Sequence, residues 1–296
     1  MTDLSMLFVV LIWAINFSLI KIALAEFSPL AFNGIRMAFA SVILILFLFI
    51  TRQGLKVPRK DIGKLVVLGI IGNTVYQVLF IHGIDLTTAS NTSIIMAMTP
   101  ASVALLSSLC KHEKIHWAAW LGIGLSFVGF YLVITNHPGE FVFSWKNLKG
   151  DMMIFLGNFA WAVYTVFSKP ILGRITPLKW SSLTLAAGTV FFVPFCFPAF
   201  IRQDFGQISL KAWIILAFSG IFALALNYVI WYMSVKKIGN SKTVIYGNIL
   251  PIFTVVFASI LIAERIGLWQ AIGAVIILFG VYMARSGYRF FSIKAN

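Results

Sequence analysis

Ten long apolar runs, separated by short polar stretches, follow one another along the 296-residue chain. Each run has roughly the 17 to 25 residues that an α-helix needs to cross the hydrocarbon core of a bilayer. The pattern therefore predicts an all-α integral membrane protein with ten transmembrane helices. The predicted spans are 4–24, 30–51, 64–84, 91–110, 116–135, 151–171, 178–200, 211–235, 241–262 and 267–285.

The second half of this pattern repeats the first. A shift of 151 residues superposes 90–131 on 241–282 without a gap. Four pairs that apolar bias alone would not place in register coincide under this shift: Pro100 with Pro251, Glu113 with Glu264, Gly122 with Gly273, and Gly129 with Gly280. Near the start of each half, a shift of 148 residues superposes Trp13-Ala14 on Trp161-Ala162.

The duplication divides the chain into two five-helix repeats, 1–136 and 150–296, joined by a linker at 137–149. Because each repeat contributes an odd number of spans, equivalent helices cross the membrane in opposite directions, as in the inverted repeats of secondary transporters. If the N-terminus is cytoplasmic, 16 of the 23 Lys and Arg residues lie on the cytoplasmic side and six lie outside. This positive-inside bias predicts that both termini are cytoplasmic.

Composition agrees with a membrane protein and limits its partners. The chain is 60% hydrophobic and 11% charged, with a mean hydropathy of +0.96, too little polar surface for a soluble protein of this size. The net charge of +14 is scattered over short loops, so we expect membrane lipid and no nucleic acid as a partner. Two cysteines and four histidines at unsuitable spacings predict no metal and no cofactor.

The first apolar run invites comparison with a secretory leader. Residues 1–12 contain no Lys or Arg, so the basic region of a leader is missing. The motif Trp13-Ala14 with Lys21 recurs as Trp161-Ala162 with Lys169, which a cleaved leader would not explain. We expect the run to be retained as the first span.

These features resemble EamA-type members of the drug/metabolite transporter superfamily over nearly the whole chain. The resemblance depends on ten spans in two repeats and on the motifs Trp13-Ala14 with Lys21, Arg36 in the second span, and Pro100 with Glu113, Gly122 and Gly129. The second half repeats all of them except the arginine, which Thr184 replaces. The resemblance implies a multi-pass transporter of the cell membrane, the inner membrane in bacteria, with small-molecule cargo and export as the commoner direction.

Polar and aromatic residues inside the spans are the candidates for substrate binding, because polar groups at membrane depth face a cavity or another helix. On the helical period they form matching patches in the two halves, with Tyr76 equivalent to Asn227 and Gln77 to Tyr228. The alternative is hydrogen bonding between helices. The candidates are Trp13, Asn16, Asn73, Tyr76, Gln77, Phe80, Asn158, Trp161, Tyr164, Asn227, Tyr228, Trp231, Tyr246 and Asn248.

Two prolines lie at equivalent depths in spans four and nine. Pro100 and Pro251 each remove a backbone donor and displace the carbonyl four residues earlier, that of Met96 or Gly247. Each proline is a candidate hinge, and the alternative is a static kink. Tyr246, Gly247 and Asn248 make the second copy the more polar one, so we expect it to provide more of the substrate contact.

The charges in the spans are mostly positive. Lys21 and Lys169 end spans one and six and could extend toward the interface, whereas Arg36 lies about two turns inside span two. A buried cation could bind a substrate carboxylate or phosphate; pairing of Arg36 with Glu26 or with a helix-end carbonyl is the alternative. No carboxylate is predicted at mid-membrane, so a carboxylate proton relay is not supported. Glu113 and Glu264 are expected to have a structural role in the turn before the next helix.

The sequence thus predicts a secondary transporter of small organic metabolites that works by alternating access. An amino-acid or metabolite exporter or exchanger fits the mixture of aromatic, amide and cationic residues, with a monomer or weak homo-oligomer as the assembly. A nucleoside-containing metabolite such as S-adenosylmethionine is the alternative cargo, because Trp13, Trp161, Tyr76 and Trp231 could stack on a base. A membrane enzyme would need a catalytic cluster that the sequence lacks, and a channel would conduct without saturation.

Overall fold

The computed structural model of the protein describes residues 2–109, 117–135 and 145–292, and all regular structure within these ranges is helical. Glu113 and three of the histidines, His112, His116 and His137, lie outside the described residues. The α-helices are α1 (Thr2–Ala23), α2 (Pro29–Ile50), α3 (Arg59–Gly69), α4 (Tyr76–Leu86), α5 (Ala89–Met96), α6 (Thr99–Leu109), α7 (Trp117–Thr135), α8 (Trp145–Leu172), α9 (Pro177–Arg202), α10 (Leu210–Phe218), α11 (Asn227–Ile238), α12 (Asn240–Thr243), α13 (Leu250–Ile262) and α14 (Leu268–Ser292).

Eight helical stretches in the described part of the chain are long and apolar enough to cross a membrane. Two shorter apolar helices, Trp120–Ile134 and Leu268–Met283, lie where spans five and ten are predicted. α8 begins at Trp145, six residues before the predicted start of span six, so the end of the predicted linker is helical. The helix continues into the polar segment because it contains no proline or glycine before Gly150.

A π-helical segment occurs at the same place in both halves. Ile70–Val75 connects α3 to α4, and Ser219–Leu226 connects α10 to α11. Each segment lies at a glycine that permits close packing: a Cβ on Gly69 would be 2.8 Å from the Thr184 carbonyl, and one on Gly220 would be 3.4 Å from the Arg36 carbonyl. Because Thr184 and Arg36 are equivalent positions, the repeat extends to local backbone geometry and packing.

The last helices of the two halves, α7 and α14, pack closely through glycine. A Cβ on Gly129 would lie 2.6 Å from the Gly273 carbonyl, and one on Gly280 would lie 2.5 Å from the Gly122 carbonyl. The helices are therefore antiparallel. Gly122 is equivalent to Gly273 and Gly129 to Gly280, so the contact is self-complementary, as it is across a two-fold axis.

The two ends of the bundle differ in their polar contacts. At one end, here called the Asp151 end, the Lys21 ammonium donates to the carbonyls of Ile84 (3.0 Å) and Thr87 (2.5 Å). The Thr87 hydroxyl and the Asn91 amide donate in turn to the buried Asp151 carboxylate. These bonds join the last turn of α1, the end of α4, the first turn of α5 and the second turn of α8.

At the other end, here called the Asp3 end, charges pair near the surface. The Arg174 guanidinium donates to both oxygens of Asp61, at 2.5 and 2.7 Å. Asp61 in turn keeps the pKa of Arg174, which lies in the turn after α8, above its usual value. The Tyr246 hydroxyl donates to Asp3, which is exposed.

Packing also differs between the ends. In the stretch Ala89–Leu106, 83% of the residues are buried. In the repeat-equivalent stretch, Val244–Ile262, 22% of the residues in an 18-residue window are buried. The first turns of α5 are thus closed in at the Asp151 end. The equivalent residues at the Asp3 end include Lys242, which is exposed. Two halves of similar sequence therefore differ in local packing.

Gly280→Ala should destabilise the protein, because the added methyl group meets backbone atoms of Gly122 and Ser126 that cannot rotate away. Overpacking of this kind costs about 1 to 3 kcal/mol. The measurement is the thermal unfolding midpoint of the purified protein in detergent.

Gly124→Ala on the same helix pair is the matched control, because a Cβ there has no neighbour within 4 Å. Alanine favours a helix over glycine by about 1 kcal/mol, so this midpoint should stay level or rise. Equal effects of the two substitutions would contradict the packing of α7 on α14.

Candidate substrate cavity

Residues at equivalent positions of the two repeats touch one another at the centre of the bundle. Such contacts are what a pseudo-two-fold axis between the halves produces, since an operation that exchanges two touching residues passes between them. The contacts are Trp13 with Trp161 (ring centroids 6.2 Å apart), Gln77 Nε2 with Tyr228 Oη (3.0 Å) and Ser41 Oγ with Thr189 Oγ1 (2.8 Å).

A cavity lies beside two of these contacts. Its free volume for water is about 50 Å³, enough for a few water molecules, so a metabolite of amino-acid size would bind only in a wider form of the cavity. Both halves contribute to its wall, from α1, α2, α4, α5, α6, α8, α11, α13 and the segments next to them. The lining residues are Trp13, Asn16, Phe17, Arg36, Tyr76, Gln77, Phe80, Met96, Thr99, Trp161, Ala223, Leu224, Tyr228, Trp231, Val244, Gly247 and Leu250.

Eight of the fourteen candidate residues line this cavity. Its aromatic wall is continuous: the Trp13 ring is 5.2 Å from Trp231, and the Trp161 ring is 5.3 Å from Tyr76 and 5.1 Å from Tyr228, between centroids. The residues brought together are Trp13, Asn16, Tyr76, Gln77, Phe80, Trp161, Tyr228 and Trp231.

Three candidates bind neighbouring helices instead. Asn73 lies in the first π-helical segment, where its Cβ faces Gly188 of α9. Asn158 Oδ1 is 2.5 Å from the Thr99 hydroxyl, and the Tyr164 hydroxyl is 2.5 Å from Thr184 Oγ1. Tyr164 also stacks on Trp180 at 5.4 Å. For Asn158 and Tyr164 the alternative of interhelical hydrogen bonding describes the structure, whereas Asn73 packs against α9.

The other three candidates lie toward the Asp3 end or against α1. Asn227 donates its amide to the Val9 carbonyl at 3.0 Å, which joins α11 to α1. Tyr246 contacts Asp3, and Asn248 is half-buried in the 3₁₀-helical segment Val244–Ile249. Gly247 is the residue of this predicted polar trio that reaches the cavity wall.

The three membrane cations have different surroundings. Lys21 binds helix-end carbonyls, and Lys169 is exposed. Arg36 is 1% exposed and lines the cavity. The suggested pairing of Arg36 with Glu26 is wrong, because Glu26 lies in the loop at the Asp151 end and accepts bonds from the backbone and hydroxyl of Ser209. Those donors lower the pKa of Glu26.

Both candidate hinge prolines stand where a helix breaks. α5 ends at Met96 and α6 begins at Thr99, so Pro100 lies in the first turn of a new helix. In the second half, the 3₁₀-helical segment gives way to α13, and Pro251 lies in its first turn. The residues whose carbonyls the prolines displace, Met96 and Gly247, both line the cavity. The two breaks therefore lie beside the cavity.

Sequence reasoning missed several lining residues. Phe17, Leu224, Val244 and Leu250 are ordinary apolar residues of membrane helices, and nothing in their identity marks them. Thr99 could have been found, because it is polar and directly precedes Pro100. Its hydroxyl lies 2.5 Å from the Met96 carbonyl, so it binds the oxygen that the proline displaces.

Comparison with known proteins agrees with this architecture. The model of the EamA-like transporter family matches residues 1–135 and 148–286. This chain therefore belongs to the EamA-like transporter family and is a multi-pass membrane transporter by family.

Individual relatives cover nearly the whole chain. The uncharacterized transporter YyaM of Bacillus subtilis is 31% identical over 91% of this chain and 88% of its own. An uncharacterized transporter of Archaeoglobus fulgidus is 30% identical over 95% and 96%. A solved crystal structure with 16% identity has a TM-score of 0.70 and covers 96% of this chain and 95% of that one, a similarity of fold alone.

Pro251→Ala should slow transport and leave substrate affinity within about two-fold. Alanine restores the missing backbone donor and extends α13 backward, which stiffens the break beside Gly247. Transport rate and binding affinity are measured separately, by flux and by equilibrium binding.

Pro194→Ala serves as the control, because Pro194 lies inside α9 on an exposed face and away from the cavity. An unchanged rate in Pro251→Ala would reduce this proline to a static kink.

Proposed function

We propose that this protein is a secondary transporter that moves a small organic metabolite across the cell membrane by alternating access of the central cavity. The solute is an amino acid or a related metabolite, and the protein works as an exporter or exchanger. The observation that carries the proposal is the contact of repeat-equivalent side chains inside a largely aromatic cavity. A site on the symmetry axis can serve both sides of the membrane with the same residues.

An inverted relation between the halves is supported by α7 and α14. Their self-complementary antiparallel glycine contact is what a two-fold axis in the membrane plane produces. We take the two shorter apolar helices as spans five and ten, which gives ten spans with both termini in the cytoplasm. The Asp3 end is then cytoplasmic, and the Asp151 end faces outward.

Alternating access requires that one end close while the other opens. Two carboxylates support closure at the Asp151 end. Asp151 on α8 accepts bonds from Thr87 and Asn91, and Glu264, before α14, accepts the backbone N–H groups of Ala89 (3.1 Å) and Ser90 (2.9 Å). An anion at the N-terminus of a helix is favourable. We infer that these bonds hold α5 in place while the Asp3 end is open.

The cavity wall indicates a partly apolar solute with a few polar groups. Tyr76, Trp161 and Trp231 provide flat apolar surface, and Asn16 and Gln77 provide amides. The same rings could stack on a base, so adenosyl compounds are tested as solutes alongside amino acids.

Flux into proteoliposomes tests the proposal. We expect saturable uptake that is stimulated by solute on the opposite side, and we expect Tyr76→Ala and Trp231→Ala each to lower it at least ten-fold at unchanged yield of folded protein. Trp269→Ala is the control, because this tryptophan is 48% exposed on α14. If no amino acid and no adenosyl compound shows saturable flux, the proposal is contradicted.

Glu264→Gln should open the Asp151 end, because a neutral amide caps the α5 N-terminus less strongly than a carboxylate does. The measurement is the labelling rate of a cysteine placed at the buried Ser93, in protein whose Cys110 and Cys196 are replaced by serine. We expect faster reaction with a membrane-impermeant maleimide.

Asp204→Asn is the matched control, because Asp204 binds only within its own loop in the described structure, at Gly206 and Gln207. Equal labelling rates in wild type and Glu264→Gln would show that Glu264 does not hold the Asp151 end closed.

A further inference from the structure

Arg36 is a buried cation bound entirely by neutral groups. Its Nη1 donates to Ser219 Oγ at 2.9 Å, and its Nη2 donates to Asn33 Oδ1 at 2.5 Å and Gln77 Oε1 at 2.8 Å. Its guanidinium carbon lies 5.7 Å from the centroid of the Phe32 ring. These contacts fix the direction of the side chain and leave its charge uncompensated.

No counter-charge is found among the residues that the structure describes. Within them the single ion pair is that of Arg174 with Asp61, far along the bundle at the Asp3 end. None of the cavity-lining side chains is acidic. An arginine keeps its proton, and an unpaired buried charge costs several kcal/mol. A bound anion would remove that cost.

The guanidinium also has donors to spare. Three hydrogen bonds occupy three of its five N–H groups, and its Nε is buried without a partner. Two other atoms of cavity-lining residues are buried and unpartnered: the Trp231 Nε1 donor and the Asn16 Oδ1 acceptor. Two donors and one acceptor of cavity-lining residues, one of them on the charged guanidinium, thus lack a partner.

We propose that Arg36 is the anion subsite of the cavity and that the transported solute carries a carboxylate, which Arg36 binds. This inference depends on the proposed transporter function and narrows its substrate class to organic monocarboxylates, α-amino acids included. The carboxylate oxygens accept from Arg36 Nε and Trp231 Nε1. An ammonium or amide of the same solute donates to Asn16 Oδ1, with the aromatic rings around it.

Charge balance favours a monocarboxylate over a phosphate ester. Arg36 is the one charged side chain in the described cavity wall. A carboxylate brings one negative charge and neutralises it, whereas a phosphate ester carries about −1.5 to −2 at neutral pH and would leave negative charge buried. The planar guanidinium also matches the planar carboxylate.

The test is a thermal-shift and binding series on the purified full-length protein with matched probes. The acids are phenylalanine, leucine, 3-phenylpropionate and 4-methylpentanoate; their neutral or cationic counterparts are the corresponding amides and phenethylamine. Ligands that bind the folded state raise the unfolding midpoint. We expect shifts with acids and none with the amides or the amine.

Arg36→Gln should weaken acid binding at least ten-fold. Arg36→Lys keeps the charge without the planar guanidinium, so its affinity for the acids should lie between those of wild type and Arg36→Gln. Lys169→Gln removes an exposed charge and should change nothing. The unliganded midpoint of Arg36→Gln should be level with wild type or higher, because an uncompensated buried charge is lost; a purely structural arginine would give a lower midpoint.

Equal shifts with amides and acids, no shift with any acid, or undiminished acid binding in Arg36→Gln would each overturn the inference. Saturable counterflow of an uncharged or cationic solute would overturn it and leave the transporter proposal in place. Absence of saturable flux for every solute would overturn the transporter proposal itself.

Discussion

The contact between equivalent residues on the pseudo-two-fold axis is the constraint on which the rest of the structure depends. When Trp13 meets Trp161 and Gln77 meets Tyr228, the two repeats share one interface and one cavity. Neither half could form that cavity alone, because each supplies only part of its wall. The proposed transport by two inverted halves depends on this arrangement, since a site away from the axis would present different residues to the two sides.

The two halves also differ in the chemical groups that they place in the cavity wall. Arg36 has Thr184 as its equivalent, so a single positive charge stands in the described wall of an otherwise neutral cavity. Tyr164 occupies the hydroxyl of Thr184, whereas the spare donors of Arg36 have no acceptor. The cavity wall is thereby charged on one side of the pseudo-symmetry and neutral on the other, which is the asymmetry on which the proposed anion subsite depends. α5 is more buried than the segment before α13, and the proposed closure of the Asp151 end depends on that asymmetry.

The sequence was sufficient for the all-helical membrane class and the family, because periodic apolar runs and an in-register duplication are properties of the chain itself. Eight of the residues that it marked line the cavity, where equivalent positions of the two repeats meet. It failed for Asn73, which was placed on one face with Tyr76. The π-helical segment Ile70–Val75 adds a residue to the turn between them, so the 3.6-residue period no longer relates their directions.

Paired distances at the two ends test the central claim most directly. Spin labels at Leu4 and Lys242 report on the Asp3 end, and labels at Thr88 and Lys149 report on the Asp151 end; both distance distributions are measured with and without a saturating transported solute. Alternating access predicts a reciprocal change, in which one pair moves apart as the other closes. Distances that stay fixed, or that widen together, would contradict it.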